Sequence, residues 1–225
     1  MQYKIRWQYQ IPEVKEIMFE SEWLSRSLIT DLLLDIEKTG RMKDVIIIDE
    51  MEQTWTKKEF QKQKKILDQS PSDITIYFDG NFDLDKRMGG IGNIIYYRKE
   101  NEMFRVRRNS QIQEMETSGE VEYAALFQGI TLLEEMKITH LPVTIKGDAR
   151  GVIMQLLGEW PCYDNVLNRW LDHIEEKIKK LSIKPKYEYT TRKENKEAHK
   201  LAHQALDGIL IDSCKKIDPS RVMRG

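Results

Sequence analysis

The sequence predicts a mixed α/β protein, with a small ββαββα unit over residues 1–68 followed by a mixed five-stranded sheet flanked by helices over 73–210. Three observations carry this. Short segments in which apolar residues alternate with period two are interleaved with longer ones in which they recur near 3.6. The stretch Asp68-Gln-Ser-Pro-Ser-Asp73 is polar, contains a proline and separates two strongly patterned regions, so it reads as a linker. The 225 residues, 40% of them hydrophobic, suffice to bury one or two cores.

In chain order, alternating Tyr3, Ile5, Trp7 and Tyr9 predict a strand, and Glu16–Glu20 a second. Leu24–Lys38 carries apolar residues at helical spacing and ends at Gly40, a helix stop. Val45–Ile48 reads as a buried strand, Gln53–Thr56 as a short one and Lys57–Leu67 as a charged helix. Trp7, Trp23 and Trp55 all fall in this unit; they build a core that needs large side chains or form a base-stacking surface. After the linker, Ile74–Phe78, Gly89–Tyr97 and Met103–Arg108 are strands at hairpin spacing, the first ending in Asp79-Gly80. Thr117–Met136 is a helix with a possible capping box, Thr117-x-x-Glu120. Val143–Lys146 is a strand leading through Gly147-Asp148 into a helix that ends at Leu157; Tyr163–Leu181 is a helix, Tyr187–Thr191 a strand and Asn195–Leu206 a helix. Residues 211–225 read as a C-terminal tail.

Composition narrows the function classes. No apolar run approaches the roughly 18 residues of a membrane span, and the first ten residues lack a signal-peptide core, so the expectation is a cytoplasmic protein with no membrane partner. Two cysteines, Cys162 and Cys214, give neither a disulfide framework nor a four-ligand zinc site. A formal net charge of −1 means that a nucleic-acid partner requires a local basic patch.

Three acids stand out by position: Asp79 closes an apolar strand, Glu122 lies in the first turns of a helix, and Asp148 sits where a strand hands over to a helix. Acids so placed share one sheet edge, where oxygen ligands hold hard divalent cations. Singly, Asp79 also suits a turn, Glu122 an ordinary helix start and Asp148 an N-cap. It is the conjunction that points to chemistry.

The segments Ile76–Gly80, Glu122–Gly129, Ile145–Asp148 with Val152–Gln155, and Glu194–Ala198 with Leu201-Ala202 together resemble a type 1 ribonuclease H domain over about residues 73–207. The resemblance implies a ribonuclease H-like sheet and a metal-dependent endoribonuclease that cleaves the RNA strand of RNA/DNA hybrids. By motif, Asp79, Glu122 and Asp148 are its catalytic and metal-binding acids, holding two Mg²⁺ or Mn²⁺ ions. Two features depart from the family pattern. His199 stands where a fourth acid is usual, so His199 joins the ligand set and favours Mn²⁺, since Mg²⁺ prefers oxygen. Thr117-Ser-Gly119 replaces the usual Thr-Asn-Asn, removing an amide that touches the minor groove of the hybrid. Gly80, Arg150, Arg192 and Lys196 are the candidate nucleic-acid contacts; Arg105 and Arg107, on one face of a strand, and Lys193 and Lys200, before and along the last helix, are further backbone contacts or ordinary solvated runs. His199 and His203 lie at i, i+4, but Lys200 takes the place of the zincin glutamate and no third ligand is nearby, which argues against zinc. The alternatives are a non-catalytic nucleic-acid-binding module of the same fold and a nuclease acting on another RNA substrate.

Overall fold

The computed structural model describes residues 2–10, 16–62 and 70–218, and the chain divides into compact units at 1–69 and 70–225. In the first, β1 (Gln2–Gln10), β2 (Glu16–Glu20), β4 (Met42–Asp49) and β5 (Thr54–Thr56) form an antiparallel sheet in the order β2-β1-β4-β5, with two-residue β3 (Leu24–Ser25) also on β1. Helix α1 (Arg26–Lys38) starts two residues later than the periodicity predicts, because Leu24 and Ser25 pair with β1 and the Ser25 hydroxyl caps the Leu28 N–H. Period two puts Tyr3 and Ile5 on one face of β1, and i, i+4 spacing puts Ile29 and Leu33 on one face of α1; with Ile47 and Phe60 they form the core. Helix α2 is described over 57–62, and the remainder of the expected helix to Leu67 lies outside the described residues.

The second unit is built from β6 (Ser72–Asp83), β7 (Met88–Lys99), β8 (Glu102–Gln113), α3 (Ser118–Glu135), β9 (Pro142–Gly147), α4 (Arg150–Leu156), α5 (Asn165–Leu181), β10 (Lys184–Tyr189), α6 (Lys196–Leu206) and β11 (Asp212–Ile217). Its sheet runs β10-β9-β6-β7-β8-β11. β6, β7 and β8 form an antiparallel meander, and β9 and β10 join parallel to β6. The five expected strands are thus present, and a sixth is added. Residues 212–217, expected as tail, pair antiparallel with β8 from Asp212↔Arg108 to Ile217↔Met103. The segment has no apolar alternation to announce it. The unpaired edge of β8 and flanking ion pairs, Arg108–Asp212 at 3.0 Å and Lys216–Glu102 at 2.5 Å, recruit it.

Strand β6 also runs further than expected, through Asp79-Gly80 to Asp83, because those residues pair with β7 opposite Gly92 and Ile91. Helices α3 and α5 cover one sheet face, burying Ile76, Phe78, Leu126 and Ile130 among others. Helix α6 covers the other, packing Ala198 and Leu201 on Ile94. The approach of α6 is close: a Cβ at Gly90 or Gly92 would lie 2.2 Å from the carbonyl oxygen of Ala202 or Ala198. The glycines of β7 are therefore what let α6 lie flat on the sheet.

Candidate active site

Register brings the acids together. β9 pairs with β6 as far as Lys146↔Tyr77, and two residues beyond that pair stand Asp148 and Asp79. Asp79 is 2% exposed. Gly80 has no side chain to hold α3 away; a Cβ there would lie 2.7–2.8 Å from the backbone of Val121 and Glu122. Glu122 consequently reaches back over β6, where its Oε2 accepts the Gly80 N–H at 3.1 Å. Thr117 caps α3 by accepting from the Glu120 N–H, while the Glu120 carboxylate accepts from the Glu116 N–H rather than that of Thr117, so half of the expected capping box forms. Asp148 precedes the N-cap, Ala149, and does not cap α4.

The residue that ties this edge together is Asn195, the N-cap of α6, which is 1% exposed. Its Nδ2 donates to the Phe78 carbonyl at 2.8 Å and to Asp148 Oδ1 at 2.5 Å, fastening β6, the end of β9 and the start of α6 at one point. Sequence reasoning placed Asn195 inside a motif and gave it no role; flanked by Lys193, Glu194, Lys196 and Glu197, it carries no signal beyond its place at a helix start.

One turn into α6, His199 Nδ1 lies 3.1 Å from Asp79 Oδ2, and Arg192 Nη2 lies 2.8 Å from His199 Nε2. Guanidinium only donates, so Nε2 accepts and Nδ1 carries the proton that it donates to Asp79. Burial and the Arg192 charge hold the His199 pKa below its usual value, against the pull of Asp148, which keeps the ring neutral. Burial and then the neighbouring Asp148 charge push the Asp79 carboxyl up to about 7. Burial and the charges of Asp79 and Asp148 raise Glu122 well above the carboxylate range, opposed by the Gly80 N–H and Arg192. The three acids and the imidazole thus share one electrostatic neighbourhood. Among the described residues no three His, Cys, Asp or Glu side chains are drawn in to the spacing of ligands on one ion.

The candidate contacts disperse. Gly80 spends its N–H on Glu122. Arg150 lies over the Trp160 ring at 5.6 Å, and Lys196 is exposed on α6. Arg105 and Arg107 face Glu197 at 2.8 and 3.8 Å. His203 Nδ1 lies 2.9 Å from Asn81 Nδ2, and its ring meets that of His199 edge-on at 4.4 Å. In the first unit Trp7 and Trp55 lean on the core, and the Trp55 indole N–H donates to Asp49, whereas Trp23 is 42% exposed. No described helix is long and apolar enough to cross a membrane.

A family model described as reverse transcriptase-like matches residues 77–205, more than half of the chain. The chain belongs to the reverse transcriptase-like family. A relative of greater extent is the uncharacterized protein YpeP of Bacillus subtilis strain 168, 38% identical over 200 residues that span 89% of this chain and 88% of the relative. Among solved structures, this family member is similar to the ribonuclease H1 of Halobacterium salinarum, at 22% identity and a TM-score of 0.53, over 60% of this chain and 98% of that one. It is also similar to LC11 ribonuclease H1, isolated from compost by a metagenomic approach and solved with an RNA/DNA hybrid, at 21% identity and a TM-score of 0.55, over 60% and 98%. These likenesses establish a ribonuclease H fold for the second unit.

Proposed function

We propose that this chain is a metal-dependent endoribonuclease that cleaves the RNA strand of RNA/DNA hybrids. The observation that carries the reading is the gathering of Asp79, Glu122 and Asp148, from two strand ends and a helix start, beside His199 in a chain of this family. The printed partner of LC11 ribonuclease H1, an RNA/DNA hybrid, supports the substrate class. The donor set suits a divalent cation: carboxyls that burial and mutual repulsion keep hard to ionise are relieved by positive charge, and neutral imidazole adds a nitrogen donor. Asp79, Glu122, Asp148 and His199 would hold it. When bound, a pair of such ions supplies an activated water and a stabilised leaving oxygen. The protein's own part is positional. Asn195 fixes Asp148, the Gly80 N–H fixes Glu122, and the His199 N–H orients Asp79. Gly80, Arg150, Arg192 and Lys196 remain the proposed contacts to nucleic acid, and the cytoplasm the proposed location.

One observation favours the second reading, a nucleic-acid-binding module without cleavage. With Nδ1–H on Asp79 and Nε2 accepting from Arg192, His199 has no lone pair left for a metal. Ligation therefore requires Arg192 to swing away, as an arginine drawn to substrate phosphate would. The test is cleavage of a labelled hybrid with Mg²⁺ and Mn²⁺ separately. The expected result is more cleavage with Mn²⁺ by roughly tenfold, greater Mg²⁺ use in His199→Asp, and loss of both in Asp79→Asn. Hybrid binding without cleavage in either metal establishes the second reading instead. The lowered His199 pKa keeps the imidazole neutral to below its usual value of about 6.5, so the acid limb of Mn²⁺-dependent activity is expected from Asp79, whose carboxyl is pushed up to about 7.

A further inference from the structure

The face of the sheet that carries α6 holds a groove of about 860 Å³, within the roughly 300–1,000 Å³ typical of small-ligand sites. Lys146, Lys196, Lys200 and the pair Arg105 and Arg107 line it, against two carboxylates, Glu194 and Glu197. Glu197 is already engaged, taking Arg105 at 2.8 Å and the Tyr96 hydroxyl at 2.9 Å. Glu194 is likewise spent on the Thr190 and Thr191 hydroxyls. Lys196 and Lys200 form no ion pair among the described residues, and their i, i+4 spacing puts both ammoniums on one face of α6. Tyr77, Tyr96 and Tyr189 supply aromatic wall.

Two further observations point to a ligand. The first turn of α6 lines the groove and has no side-chain cap, leaving helix N–H groups beside the lysines. Asn195, almost wholly buried, lines it as well, and its Oδ1 has no hydrogen-bond partner among the described residues. The buried Nε of Arg105 is unpartnered in the same way. A buried acceptor and a buried donor without partners, on residues that line a basic, tyrosine-walled groove, each cost stability, so this wall is not built for stability alone.

We propose that this groove binds a phosphorylated nucleoside: phosphate against Lys196, Lys200 and the first turn of α6, and the base against tyrosine. That chemistry is shared by a free nucleotide and by the 5′-phosphorylated end of an RNA strand. The proposal does not depend on the acids cleaving anything. It is tested by titration calorimetry on the full chain, with divalent metal chelated, using AMP, adenosine, inorganic phosphate and 5′-phosphorylated triadenylate RNA. Saturable binding of AMP or the trinucleotide is expected, with adenosine and phosphate weaker by about tenfold or more. Lys196→Glu with Lys200→Glu is expected to weaken binding by a similar factor, Tyr189→Ala to erode the advantage over phosphate, and Asp79→Asn to change affinity less than about twofold. Tighter binding of AMP identifies a free nucleotide, and tighter binding of the trinucleotide a strand end. No saturable binding, phosphate bound as tightly as AMP, indifference to the double lysine variant, or loss of binding in Asp79→Asn each overturns the site.

Discussion

Asp79 shows what the site costs the fold. In the unfolded chain its carboxyl ionises near the ordinary value of 3.8, whereas in the folded protein it holds its proton to about 7. Between those values the native state binds more protons than the unfolded one, so this group's contribution to stability is lost as pH rises from about 4 to 7. Glu122 acts with the same sign. Asp79→Asn should therefore be more stable than the parent at pH 8, by a few kcal/mol at most, with the difference gone at about pH 4; urea midpoints at the two pH values check this. Asn195→Ala should behave in the opposite way at both. It strips the donor from Asp148 and from the buried Phe78 carbonyl, so about 1–3 kcal/mol of stability should go, together with roughly 10–100-fold in cleavage under the proposed function. Asp79, Glu122 and Asp148 were legible because chemistry restricts residue type at their positions. Asn195 was not, since a buried amide acting on backbone and carboxylate at once depends on a fold that brings residues 78, 148 and 195 together.

At the scale of elements, the β7 glycines make α6 possible. Gly92→Ala drives a methyl into the Ala198 carbonyl oxygen, and with backbone on both sides neither partner can yield cheaply. A loss of about 3 kcal/mol or more is expected in denaturant unfolding, with cleavage falling too because His199 rides on α6. Gly119→Ala is the contrast. In the first turn of α3 its Cβ would meet nothing nearer than 3.7 Å, so helix propensity alone decides and stability should rise by roughly 0.5–1 kcal/mol. The element order was readable from periodicity in β1, which alternates, and in α5 and α6, which carry apolar stripes, whereas β7 is buried without a break over 89–95 and was placed by its hairpin spacing. The course of β6 past Asp79 and the existence of β11 were not. Both are fixed by the partner strand's free hydrogen-bonding groups, and neither leaves a pattern in its own residues.

At the scale of the molecule, each unit has a core of its own. We propose that residues 70–225 are an independent domain, expressed alone as a fragment with a single cooperative unfolding transition; calorimetry that finds no such transition refutes it. The first unit is nonetheless not incidental. The alignment to YpeP covers 200 residues of this chain, more than the 156 of residues 70–225, so at least 44 aligned positions fall in the first unit. The knot at Asn195 has a consequence in time. Its bond to Phe78 spans 117 residues and the contact of His199 with Asp79 spans 120, so at synthesis rates of about 5–20 residues per second Asp79 waits on the order of ten seconds for its partners to emerge. A chain broken off before α6 carries all three acids yet lacks the amide that holds Asp148 and the imidazole that orients Asp79. Under the proposed function, premature termination should thus yield an inert fragment, and hybrid cleavage should begin only once α6 docks.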